Sequence, residues 1–234
     1  MSPYIAELFG TMLLIVLGDG VVAGVTLKST KAENAGYMMV CIAWGLAVML
    51  SIYAVSRISG AHLNPAVTLA LYIAGAFPAD QILGYVIAQF VGAFLGAVVV
   101  WLFYFPHWGV TTDSASKLGI FCTTPAIRST GSNLFSETFA TTILALAILF
   151  IGANKFTEGL NPIAIGALIT AIGFSLGPTT GFAINPARDL GPRIAHAILP
   201  IPGKGNSDWG YSWIPVIGPL IGGAVGALLY KALF

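Results

Sequence analysis

The chain has 234 residues, 57% of them hydrophobic and only 8% charged, with ten Lys and Arg against nine Asp and Glu. Soluble domains carry roughly 25% charged residues, so too few charges are present to cover a water-soluble globule of this size, and an all-α membrane protein is expected. A net charge of +1 provides neither a nucleic-acid surface nor a polybasic lipid anchor, and the two cysteines, Cys41 and Cys122, have neither metal-ligand spacing nor the look of a disulfide framework.

A helix needs about 20 residues to cross the hydrocarbon core. In chain order the predicted spans are Tyr4–Val25, Gly36–Val55, Gln81–Tyr104, Leu134–Ala153, Pro162–Gly177 and Trp213–Leu233. The first carries Glu7 and Asp19 and lacks a basic leader, so it reads as a span and not as a cleaved signal. Asp19 lies about 18 Å along that helix from Glu7, toward its far end, as a mouth residue or a modulator of solute entry. Polar connections are expected at Lys28–Ala35, Pro106–Asn133, Asn154–Asn161 and Gly203–Tyr211.

Two further apolar stretches are interrupted too early to cross. Ile58–Ala79 contains Gly60, His62, Asn64 and Pro65, and Gly181–Ile198 contains Asn185 and Pro186 followed by Arg188, Asp189 and Arg193. Their helical parts, Pro65–Ile73 and Pro186–Ile198, reach about half the core thickness at 1.5 Å per residue. Short, Gly/Pro-interrupted segments at matching places of two halves point to a binding or permeation site. The halves do match. Each opens with Glu-x-x-[GA]-Thr, at Glu7 and Glu137, and each runs span, span, half-helix, span. Three full spans per copy send the second copy in from the opposite face, so the architecture is an inverted repeat over about 4–105 and 134–233. Together these form one domain over 1–234, with six transmembrane helices and two re-entrant half-helices.

Asn-Pro-Ala occurs twice, at Asn64-Pro65-Ala66 and Asn185-Pro186-Ala187. Pro at the first helical position loses no hydrogen bond, Asn at N-cap covers free amides, and Ala lets two segments approach. In an inverted repeat both half-helices aim their positive ends at the centre, which opposes cations and protons. Non-helical backbone at that depth requires a cavity, so Arg57–Asn64 and Gly177–Asn185 are expected to line one with free carbonyls. An unpaired Arg188 facing lipid would cost about 2.5–3.5 kcal/mol, so it must face a lumen or a partner.

AHLNPAVTLAL, GFAINPARDLGPR and the two Glu-led openings resemble the aquaporin superfamily, the major intrinsic proteins. Asp189 directly after the Arg, Arg193 four residues on, and Pro215-Val216 resemble its aquaglyceroporin branch, the glycerol uptake facilitators. That resemblance implies a passive channel for glycerol, other small neutral solutes and water that excludes protons and ions. It implies no enzymatic activity, no cofactor, a homotetramer in the lipid of the plasma membrane, and both termini in the cytoplasm. It further implies a selectivity filter of Trp44, Gly173, Phe182 and Arg188, in which Gly173 widens the opening. It gives Glu7 and Glu137 the role of holding the loops that lead to the half-helices, although carboxylates inside spans would also suit a proton-coupled transporter. His62 is expected on the pore wall, Asp189 and Arg193 as braces, and the long connection over the outer vestibule. The positive-inside rule runs against the implied orientation. Arg57, Lys155 and Lys231 would lie inside, against Lys28, Lys31, Lys117, Arg128 and Lys204 outside, with Arg188 and Arg193 in the outer half.

Overall fold

A computed structural model describes all 234 residues and contains helices and no strands. Four helices come from the first half: α1 (Pro3–Thr26), α2 (Tyr37–Ser59), the short α3 (Pro65–Ile73) and α4 (Ile82–Phe103). The long connection is not the plain polar loop expected, because it folds into α5 (Phe105–Val110) and α6 (Ser114–Phe121). The second half supplies α7 (Thr130–Ala153), α8 (Asn161–Ser175), the short α9 (Pro186–Ile198) and α10 (Ile214–Leu233). Five helices are long and apolar enough to cross a membrane, whereas α8, the sixth expected span, has 15 residues and is followed by a 3-10 turn at Gly177–Thr179.

Local sequence sets the helix ends. Ser2 caps α1 by accepting from the Ile5 amide, with Pro3 behind it. Asn64 and Asn185 cap α3 and α9 in the same way, each with proline at the first helical position. At the far end of α9, Lys204 Nζ donates to the carbonyls of His196, Ala197 and Leu199 at 2.6–2.7 Å. Those acceptors have no helical partner of their own, and a cation suits the negative helix end.

The repeat is visible in the packing. α1 packs on α2 and α4 as α7 packs on α8 and α10, and each half-helix crosses to the other repeat, α3 onto α10 and α9 onto α4. Small residues permit the two tight contacts. A Cβ on Gly92 of α4 would sit 2.2 Å from the Leu8 carbonyl oxygen of α1, and one on Gly222 of α10 would sit 2.3 Å from that of Thr138 in α7. Gly96 and Gly226, one turn on, meet Met12 and Thr142 in the same manner. Small-xxx-small spacing of this kind lets membrane helices gain van der Waals contact that lipid cannot offer.

The polarity gradient is inverted relative to a soluble protein. Leu83, Phe103 and Leu228 are exposed on the outer faces, while Glu7, Asp19, Glu137, Asp189 and Arg193 are completely buried.

Candidate solute path and its constriction

The two loops that lead into the half-helices have matching backbones. Gly60, Ala61 and Leu63 hold positive φ in the first, and Gly181, Phe182 and Ile184 in the second. A left-handed non-glycine residue costs roughly 1–2 kcal/mol, so something must hold these loops. Glu7 and Glu137 do so. Glu7 accepts from Ser59 Oγ at 2.7 Å, the His62 amide at 2.9 Å, the Leu63 amide at 2.7 Å and Gln89 Nε2 at 2.8 Å. Glu137 accepts from the Ala183 and Ile184 amides at 3.1 and 2.9 Å. In a trans peptide the carbonyl opposes the N–H. Amides turned toward the buried glutamates therefore turn the carbonyls of Ala61 and His62, and of Phe182 and Ala183, the other way, toward the cavity these residues line. The non-helical stretches are shorter than expected, because Arg57 and Ser59 still belong to α2 and Gly177–Thr179 forms the 3-10 turn.

The tips of α3 and α9 meet at the centre. Asn64 Oδ1 accepts from the Ala66 amide at 2.8 Å, and its Nδ2 donates to the Ile184 carbonyl at 2.8 Å. Asn185 Oδ1 accepts from the Ala187 and Arg188 amides at 3.0 and 3.2 Å, and its Nδ2 donates to the Leu63 carbonyl at 2.8 Å. Each asparagine thus caps its own helix and ties it to the opposite loop. An amide carries two N–H bonds, so each retains one donor, and both side chains border the cavity. Pro65, Ala66, Pro186 and Ala187 are buried behind them.

Two cavities meet at one place. The larger, about 650 Å³, runs from Arg57 and Glu158 past Gly60–Asn64 and Ile184–Asn185 to Trp44, Phe182 and Arg188. The other, about 480 Å³, is bordered by Thr26, Asn34, Tyr37, Cys122 and Thr123, and by the same Trp44, Phe182 and Arg188. Those three side chains form the boundary between the cavities. The Arg188 guanidinium carbon lies 4.3 Å from the Trp44 ring centroid, a cation–π distance, and Phe182 supplies a second apolar wall. His62 borders the larger cavity, its Nδ1 3.0 Å from Thr68 Oγ1.

Gly173 differs from expectation. It borders neither cavity. A Cβ there would lie 3.0 Å from Cys41 Sγ and 3.2 Å from Phe182 Cζ. The space freed by the missing side chain is taken by Cys41 and the Phe182 ring, so the glycine leaves room for Phe182.

Asp189 borders neither cavity. Its Oδ2 accepts from the amide and the hydroxyl of Thr123, both at 2.7 Å, and its Oδ1 takes Arg193 at 2.8 Å. Arg193 continues to the carbonyls of Ser207, Asp208 and Thr123. Asp19 is corrected more sharply. It is not at a helix end or at the mouth, but is fully buried seven residues before α1 ends, with Oδ1 3.5 Å from Arg188 Nη1. Arg188 also donates to the Phe121 carbonyl at 3.3 Å. Phe121 and Thr123 are the site contributions that sequence reasoning missed. Phe121 acts through its carbonyl alone, which leaves no side-chain signature, and Thr123 adds a hydroxyl to its amide and carbonyl, but a single Thr in a long connection has no spacing that marks it. Asp113 caps α6, which carries Phe121, and the Ser116 hydroxyl and amide hold its carboxyl below the ordinary aspartate range.

The sequence matches the family described as Major intrinsic protein over residues 1–230. The chain belongs to the major intrinsic protein family. Members of this family are multi-pass membrane channels and not enzymes. The chain is 58% identical to a probable glycerol uptake facilitator protein of Thermotoga maritima over the full length of both. It is 56% identical to the glycerol uptake facilitator protein of Bacillus subtilis, covering 100% of this chain and 85% of that one. Among solved structures, the aquaglyceroporin from Plasmodium falciparum superposes with a TM-score of 0.86 at 32% identity, over 97% of this chain and 94% of that one.

Proposed function

We propose that this major intrinsic protein is a passive channel for glycerol, related small neutral polyols and water, excluding protons and ions. The observation that carries the reading is the constriction. Two cavities share a boundary of two aromatic side chains and one guanidinium. A linear polyol has carbon along one edge and hydroxyls along the other. Trp44 and Phe182 suit the carbon edge, and the planar fork of Arg188 can donate to two hydroxyls at once. In this reading Trp44, Phe182 and Arg188 are the selectivity filter with Gly173 behind Phe182. Asn64 and Asn185 then orient solute at the centre, where two helix ends contribute roughly half a positive charge each. The whole chain acts as one channel domain of two inverted repeats, about 4–105 and 134–233.

The geometry favours a channel over a proton-coupled transporter. Glu7 and Glu137 border neither cavity and are occupied by loop donors. The apolar outer faces suit lipid and neighbouring copies in a homotetramer of the plasma membrane, with both termini in the cytoplasm. In proteoliposomes glycerol is expected to equilibrate without any ion gradient; accumulation of glycerol above equilibrium under an imposed proton gradient would refute the channel.

A further inference from the structure

We propose that Asp19 of α1 is a specificity-determining residue of the constriction, setting both the position and the effective charge of Arg188. The proposal rests on the reading that Arg188 faces the solute path. Two consecutive residues of α1 serve the constriction. Gly18 seats the filter tryptophan, since a Cβ there would lie 2.4 Å from Trp44 Cη2. Asp19 faces the guanidinium, with Oδ1 3.5 Å from Arg188 Nη1.

The pair is lopsided. Asp19 is fully buried, and its Oδ2 has no hydrogen-bond partner. Arg188 uses only Nη1 toward protein, to Asp19 and to the Phe121 carbonyl. Its Nε and Nη2 donors remain for solute. A carboxylate removed from water and left with one long contact is costly unless a charge compensates it, and the only cation within reach is Arg188. The consequence for transport is twofold. Asp19 draws the Nη1 edge toward α1, away from the lumen, which keeps the passage wide enough for a carbon chain. It also cancels the arginine charge, so that ion exclusion falls to the two helix ends and not to a net charge in the narrowest part.

The test uses the full chain in proteoliposomes, with stopped-flow glycerol and water permeabilities and with nitrate and potassium fluxes, for wild type, Asp19→Asn, Arg188→Val and the double variant. Asp19→Asn should release the guanidinium into the lumen and leave an uncompensated positive charge. The glycerol-to-water permeability ratio is expected to fall about tenfold, the equivalent of one charge-assisted hydrogen bond, and nitrate flux should rise. Arg188→Val should admit potassium, attracted by the stranded Asp19 carboxylate, and the double variant should lose both leaks. Asp19→Glu, which keeps the charge, should restore most of the ratio, and provides the comparison if the Asn variant fails to insert. An unchanged ratio in Asp19→Asn, with Arg188→Val altered, would overturn the role of Asp19 alone. So would an effect of Asp19→Asn as large in the Arg188→Val background as in wild type, the mark of a purely structural residue. If Arg188→Val itself left every flux unchanged, Arg188 would not face the path and both readings would fall.

Discussion

The two glutamates offer the most quantitative test, because their hydrogen bonds can be counted. Both oxygens of Glu7 accept two donors each. Glu7→Gln preserves shape but replaces one oxygen by an NH2 group. Whichever way the amide turns, it faces one backbone N–H that cannot turn away, His62 or Leu63, beside a partner that can reorient, the Ser59 hydroxyl or the Gln89 amide. One hydrogen bond to a charged acceptor is lost, contributing about 1.5–3 kcal/mol, and the other three weaken by about 1 kcal/mol each as the charge goes, so the cost is on the order of 3–6 kcal/mol. Glu137 accepts one amide on each oxygen, so Glu137→Gln loses one bond and costs about half as much. At about 2–4 °C per kcal/mol for a chain of this length, Glu7→Gln should lower the unfolding midpoint in detergent by on the order of 10 °C. Glu137→Gln should give about half that shift. Glycerol permeability per inserted channel should fall in the same order, as the left-handed residues Ala61 and Leu63, or Phe182 and Ile184, relax. Equal, unshifted midpoints with normal permeability would refute the view that these carboxylates hold the loops. Abolished flux at an unchanged midpoint would favour a proton relay instead.

Gly173→His must displace Phe182 and Cys41, which a Cβ already crowds at 3.2 and 3.0 Å; vesicle-shrinkage kinetics should show glycerol flux falling more than water flux, and equal loss of both would remove Gly173 from the filter. Arg188→Val should raise cation leak, read as potassium flux across proteoliposomes, because it leaves the Asp19 carboxylate without its partner; an unchanged leak would mean that no uncompensated carboxylate faces the path. The Asp113 carboxyl is held below the ordinary aspartate range by Ser116. Its cap on α6 should therefore be fully present above the ordinary value and fade only as pH falls through the lowered one. Amide exchange at Ala115 and Ser116 should accelerate only in that acid range, and acceleration already at the ordinary aspartate value would contradict the cap.

Much of the fold could be read from the chain because the membrane leaves few options. Twenty apolar residues make a span, and a broken apolar segment that still enters must line a cavity. The repeated Glu-x-x-[GA]-Thr openings and the repeated Asn-Pro-Ala carry the inverted symmetry, and the half-helix starts at Pro65 and Pro186 follow from the Asn-Pro pair at each. What sequence could not supply was distance across the repeat. That Asn64 bonds the Ile184 carbonyl and Asn185 that of Leu63 depends on segments 120 and 122 residues apart. That Gly173 leaves room for Phe182 rather than for open lumen depends on which neighbour fills the gap. That Asp19 pairs with Arg188, 169 positions along the chain, depends on the fold bringing this part of α1 to the start of α9. Spacing along a chain determines which residues share a helix face. Only packing between helices determines which face meets which, and buried charges at those meetings take their roles from the partner they find.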